Sequence, residues 1–181
     1  MPRMRALFSL DIESIGLHGE GFAVGYTVLD SLGCEIEAAL FACPPDAAQG
    51  AQSDRAWVMP NVPTQIETHA TPRAVRGAFW RRWLHWSAQG ATMVADCAWP
   101  VEARFLVACV DDHGAAAHWQ GPYPLMDVSS LAAALSLDPR AAVERKANEQ
   151  PAHNPLADAR LCARLWREYS GQIAASALHR S

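Results

Sequence analysis

Residues 6–12 alternate along the chain. Phe8, Leu10 and Ile12 fall on one face, and Leu7, Ser9, Asp11 and Glu13 on the other, the period-two pattern of a strand. After a loop carrying Gly16, Gly19 and Gly21, residues 22–29 predict a second strand. Asp30-Ser31-Leu32-Gly33 reads as a turn and residues 34–43 as the returning strand, and a tight turn implies antiparallel pairing. Residues 44–56 are small, polar and rich in Pro, Gly and Gln, so a mobile loop is expected, and the three prolines of 60–72 argue against a long regular element. Pro72 then opens a helix whose apolar stripe is Val75, Phe79, Trp83 and Trp86.

Residues 91–95 predict a short strand. A helix follows from Trp99-Pro100, with Phe105, Leu106, Cys109 and Val110 as its stripe. Residues 125–128 fit a fifth strand, 129–137 a helix, 139–150 a charged surface segment, and 155–169 a last helix. Three strands followed by alternating helices and strands is the order of an α/β fold with a mixed sheet, its second half parallel with right-handed crossovers. No repeat or composition break divides the chain, so residues 1–181 are expected to form one domain.

Composition narrows the class. The 181 residues are 50% hydrophobic and 19% charged, which excludes a disordered polyelectrolyte. The net charge of −4 argues against broad, charge-driven nucleic-acid binding, though not against an enzyme that engages nucleic acid through metal ions. No apolar run approaches the ~20 residues of a membrane span, and the opening residues lack the pattern of a signal peptide. The five cysteines (Cys34, Cys43, Cys97, Cys109, Cys162) form no C-x-x-C, which fits reduced thiols in a cytoplasmic protein.

Carboxylates on faces that ought to be apolar carry the chemistry. Asp11 and Glu13, two apart on a strand, point to one side of the sheet. In the last helix Asp158 stands four residues before Cys162 and eight before Trp166, so it shares the buried stripe. Asn154 fits an N-cap and Pro155 a first helical residue, which places Asp158 in the first turn, where the helix dipole favours it by about 0.3–1 kcal/mol. Burial without a partner would cost several kcal/mol, so a nearby cation is the better account. His153, just outside the helix, can reach the same place. Asp96 follows the strand at 91–95 on the carboxyl edge where open α/β sheets place their sites, and Glu102 looks coreward from the first turn of the next helix.

Taken in order, D-I-E-S at 11–14, V-A-D-C-A-W-P-V-E-A-R-F-L around Asp96 and Glu102, and H-N-P-L-A-D at 153–158 resemble the DEDDh, or DnaQ-like, 3′–5′ exonucleases of the RNase H-like superfamily. Asp11 and Glu13 match the first motif, and His153 and Asp158 the third. The second motif departs from the family's pattern: Glu102 matches by register and Asp96 by residue type. Residues 57–63 and the Trp-bearing helix are also similar to a bacterial exoribonuclease-like branch. The resemblance implies an RNase H-like fold with a central five-stranded mixed sheet flanked by helices. It also implies hydrolysis from the 3′ end of single-stranded RNA or DNA, with release of nucleoside 5′-monophosphates, and homodimers are common in the resembling group. Asp11, Glu13, Asp158 and one of Asp96 or Glu102 would bind two divalent cations, Mg²⁺ or Mn²⁺, which suit hard oxygen ligands. His153 would take a proton from the attacking water, as imidazoles titrate near neutrality.

For substrate contact, Trp99, Trp119, Phe22 and His18 are expected near the site, Trp80, Trp83 and Trp86 in the core or a dimer face, and Arg73, Arg76, Arg81 and Arg82 on a solvated helix face. The competing expectation is a catalytically silent RNase H-like module that binds nucleic acid or protein. A dinucleotide-binding enzyme is disfavoured, since no G-x-G-x-x-G follows the first strand.

Overall fold

Strand β1 (Ala6–Ser14) is the spine of the molecule. The structure, a computed structural model, describes residues 6–178. On one side β1 pairs antiparallel with β2 (Gly21–Asp30), which pairs antiparallel with β3 (Glu35–Ala42). On the other it pairs parallel with β4 (Thr92–Ala95), and β4 with β5 (Met126–Asp127). The order β3-β2-β1-β4-β5 is the mixed five-stranded sheet that the pattern predicts.

Each face of β1 is buried against helices. Phe8 stacks on Tyr26 at 4.8 Å and meets Phe79 and Trp83 of helix α2 (Pro72–Ser87) edge-on at 5.8 and 5.7 Å. Helix α3 (Ala103–His113) adds Phe105, Leu106 and Cys109 to the same cluster. On the opposite face Leu7 and Val94 pack with Val128 of helix α4 (Val128–Ala134) and with Cys162, Leu165 and Trp166 of helix α5 (Pro155–Leu178). Burying side chains of this size contributes about 1.5–3 kcal/mol each, enough to fix which face of β1 looks at which helix. Trp80 and Trp83 are core residues, as their spacing predicts.

Several expectations are corrected. Within the predicted loop at 44–56 a helix begins: α1 spans Gln52–Asn61 and includes Pro60 in its last turn. Its N-terminus has no side-chain cap, so the sequence carries no start signal there. Tertiary bonds hold it instead, with Arg55 donating to the carbonyls of Pro45 (2.9 Å) and Ala48. Helix α5 runs on to Leu178, well past Tyr169. Arg76 is no solvated side chain: it is buried between Asp112 (2.6 Å) and Glu20 (2.7 Å). In the segment at 139–150, expected on the surface, Glu149 is buried.

The outer strand β3 is bulged. Val28 pairs with Glu37 and Leu29 with Glu35, leaving Ile36 as the extra residue. The bulge sends the two glutamates to opposite faces. Glu35 meets Thr27 and Arg160 of α5, and Glu37 meets Tyr26 and Arg82 of α2. Among the described residues no helix is long and apolar enough to cross a membrane.

Candidate active site

The last pair between β1 and β4 is Leu10 with Ala95, so β1 runs on past the end of its parallel neighbour. Asp11 and Glu13 lie on this overhang, at the carboxyl edge of the parallel strands. Directly opposite Asp11 on β2 is Gly25. A Cβ at Gly25 would lie 2.1 Å from the Leu156 nitrogen and 2.2 Å from the Pro155 carbonyl carbon, so only glycine lets the start of α5 lie against the sheet here. Asn154 caps that helix, its Oδ1 accepting from the amides of Leu156 (3.1 Å) and Ala157 (3.0 Å). Asp158 is thereby turned onto the overhang. One carboxylate oxygen each from Asp11, Glu13 and Asp158 lie within 4.8 Å of one another.

His153 precedes the cap with φ of +59°, in the left-handed region that turns the chain sharply into the helix. Its Nδ1 stands 3.8 Å from Glu13 Oε1, and the ring is half exposed. Trp57 of α1 meets it edge-on at 6.0 Å. Between them opens a cavity of about 450 Å³ that Leu17, Asp54, Trp57, Val101, Glu13 and His153 help to line.

The two second-motif candidates arrive on one short segment. Asp96 follows β4 directly, and Ala98–Glu102 is a kinked turn, extended at Trp99, that leads into α3. Asp127 ties this turn down: its Oδ2 accepts from the Ala98 amide (2.7 Å), while its Oδ1 caps α4 through Ser130 (2.7 Å). Glu102 is buried. Both Glu102 and Asp96 bear on Asp11 through their charge, but neither belongs to the close group of oxygens formed by Asp11, Glu13 and Asp158.

This packing of acids shifts every one of them the same way. Burial, then the charges of Glu102, Asp158, Glu13 and Asp96, push the Asp11 carboxyl well above its ordinary range. Burial raises Glu13 to about 8, with Asp158 and Glu102 adding to it. Glu102 rises to about 7 through burial, with Asp96 and Asp127 adding and the Ile12 and Glu102 main-chain amides opposing. Asp96 is raised by partial burial, then by Asp127 and Asp158. Asp158 is raised by burial and held back by Arg145 and the His153 amide. A converging set of oxygen donors that resists ionisation in the absence of counter-charge fits a hard divalent cation.

Not every expected neighbour is present. Phe22 is a buried core side chain, and it lines a cavity with Cys43, Val58 and Met59 rather than the carboxylate site. Trp119 is exposed, but it lines a cavity with Thr92 at the opposite, amino end of β4, since the chain after α3 returns to that end. His18 lines a separate cavity with Glu20, Arg76 and Arg104. Trp99 is exposed in the turn that carries Glu102. Two contributors escaped the sequence reading: Gly25, an ordinary strand residue by pattern, and Arg145, which is ion-paired with Asp158 across a distance no local spacing reveals.

No family model matches the sequence, and no curated protein matches it. Solved structures do. The fold is similar to that of E. coli Exonuclease I. The complex of Exonuclease I with a dA16 oligonucleotide superposes with a TM-score of 0.62 and 13% sequence identity, over 89% of this chain and 40% of that one. An ExoI/SSB-Ct complex superposes at 0.57 and 12% identity, over 90% of this chain and 40% of that one. This chain thus corresponds to well under half the length of the Exonuclease I chains, and at such identity the likeness is one of fold.

Proposed function

We propose that the chain is a metal-dependent 3′–5′ exonuclease acting on the 3′ ends of single strands. The observation that carries the proposal is the meeting of Asp11, Glu13 and Asp158, from opposite ends of the sequence, with His153 beside Glu13. The fold shared with Exonuclease I supports it, as does that protein's complex with an oligonucleotide. Asp11, Glu13 and Asp158 hold the cation, joined by Glu102 or Asp96. Glu102 is favoured because it is buried and its charge bears most on Asp11. Divalent cations held there, Mg²⁺ or Mn²⁺, would supply Lewis acidity and counter-charge for the negative charge that develops on the phosphoryl group.

The protein's own groups do the rest. His153 accepts a proton from the water whose oxygen bonds to phosphorus. The bond from phosphorus to the 3′ oxygen of the preceding nucleotide breaks, that oxygen takes a proton from solvent water and leaves as a 3′-hydroxyl, His153 returns its own proton to solvent, and a nucleoside 5′-monophosphate is released. Trp57 meets the imidazole edge-on, and the apolar walls supplied by Leu17, Trp57 and Val101 suit the face of a terminal base.

The test is digestion of 5′-labelled single strands of RNA and DNA with Mn²⁺, Mg²⁺ or EDTA. Stepwise shortening from the 3′ end that requires metal supports the reading, and the ratio of the two rates decides between an exoribonuclease, the branch resembled at 57–63, and a deoxyribonuclease. Tight binding with no cleavage under any metal overturns it in favour of the silent module. The arginine paired with Asp158 is the observation that favours that second reading.

A further inference from the structure

We propose that Arg145 is a built-in counter-cation of the carboxylate site, holding Asp158 in the metal-free protein and yielding it when a divalent ion binds. This rests on the reading of Asp158 as a cation ligand. Arg145 Nη1 is ion-paired with Asp158 Oδ1 and also donates to the Glu149 carbonyl at 2.8 Å. Both partners are largely shielded, with 25% of the Arg145 side chain and 15% of the Asp158 side chain exposed, so the contact is not a loose surface pair.

The turn that presents Arg145 is pinned to α5 on both sides of it. Glu149, four residues on, is buried, and Arg164 grips both of its carboxylate oxygens at 2.7 and 2.9 Å. Arg164 also donates to the Glu144 carbonyl at 2.8 Å, and the Lys146 amide closes the turn onto Glu149 at 2.9 Å. Two ion pairs of opposite sense thus link the turn to the helix: arginine to aspartate beside the site, glutamate to arginine farther along α5. The second pair is the more shielded, with 17% of the Arg164 side chain and 3% of the Glu149 side chain exposed, so it fixes the turn that presents Arg145 to Asp158. The same guanidinium charge also bears on Asp96.

A carboxylate oxygen bonded to a guanidinium is not free to bind a metal, so the two cations compete and their free energies are linked. The planar fork of a guanidinium matches a carboxylate better than a lysine ammonium does, which suits an arginine to this role. The carboxylates are kept from full mutual repulsion until metal arrives, at a cost in metal affinity.

The experiment is Mn²⁺ binding by isothermal titration calorimetry, with melting temperature in EDTA and in Mn²⁺ as a second readout. Wild type, Arg145→Gln, Arg145→Lys and Asp158→Asn are compared, and circular dichroism confirms each fold. Arg145→Gln is expected to bind Mn²⁺ roughly threefold to tenfold tighter, the worth of a partly shielded ion pair. It should also melt lower in EDTA and gain more on Mn²⁺ addition, with Arg145→Lys nearer to wild type. Equal or weaker Mn²⁺ binding by Arg145→Gln, while wild type binds and Asp158→Asn does not, overturns the counter-cation role and leaves the cation site standing. Wild-type binding that Asp158→Asn leaves unchanged, or no binding by wild type and Arg145→Gln alike, overturns both.

Discussion

Asp11 and Gly25 face each other across the β1–β2 pair, and the missing side chain at Gly25 is what admits the first turn of α5 to the space above Asp11. Gly25→Ala would set a methyl carbon 2.1 Å from the Leu156 nitrogen, so the helix start must lift. A loss of about 1–3 kcal/mol is expected, as for other overpacked contacts. Asp158 should retreat from its partners, and the rise in melting temperature on adding Mn²⁺ should shrink. Urea unfolding and melting with and without Mn²⁺ measure both effects. Unchanged values would mean that α5 is not seated through this glycine.

Asp11→Asn removes the acid on which most of the neighbouring charges converge. The variant is expected to melt higher than wild type in EDTA, because a repelled buried carboxylate is gone. It should lose its Mn²⁺-dependent rise and fall at least about a hundredfold in turnover. A variant that melts lower in EDTA would contradict the picture of stored repulsion.

The raised acids set a pH dependence with a definite sign. Glu13 and Glu102 hold their protons to about 8 and about 7 when folded, against an ordinary glutamate value of 4.5. Between those limits the folded state binds more protons than the unfolded one, so the metal-free protein loses stability as pH rises from about 4.5 to 8. The arginine-paired Glu35, Glu37 and Glu149 are lowered and act oppositely: their contribution is present above 4.5 and lost as pH falls below it. Melting in EDTA should therefore peak near pH 5 and decline toward pH 8, and Glu13→Gln should flatten the decline. Mn²⁺ affinity should climb over the same interval, since the metal displaces those protons. Melting curves and calorimetry across pH 5–8.5 check both trends.

Glu102→Gln and Asp96→Asn separate the second-motif candidates. The burial of Glu102 and its charge on Asp11 lead to the expectation that Glu102→Gln loses more Mn²⁺ affinity and more turnover. The reverse order would give the role to Asp96, and full activity in both would remove the segment from the ligand set.

The alternation of Phe8, Leu10 and Ile12 against Leu7, Ser9 and Asp11 was enough to orient β1, because each face meets a different apolar cluster. Asn154 and Pro155 likewise announced the start of α5, since capping is a local event. Helix α1 was illegible for the converse reason. It is held by Arg55 reaching back to Pro45 and Ala48 rather than by a cap, so no short-range pattern betrays it. The same holds for Arg76, whose spacing put it among solvated arginines but whose partners Glu20 and Asp112 arrive from far along the chain. Asp11, Glu13 and Asp158 could be nominated from their positions on apolar faces, whereas Gly25 and Arg145 matter only through what tertiary contact brings beside them.

The bulge at Ile36 bears on how the molecule meets copies of itself. By splaying Glu35 and Glu37 to the two sides of β3, it flanks the open rim of the sheet with a carboxylate–arginine couple above and another below. An approaching strand would have to match the kink and crowd both couples to extend the ladder, a standard defence against rim-to-rim growth into fibres. The register of a single residue thus leaves this flank of the sheet kinked and rimmed by charge, a poor template for an added strand.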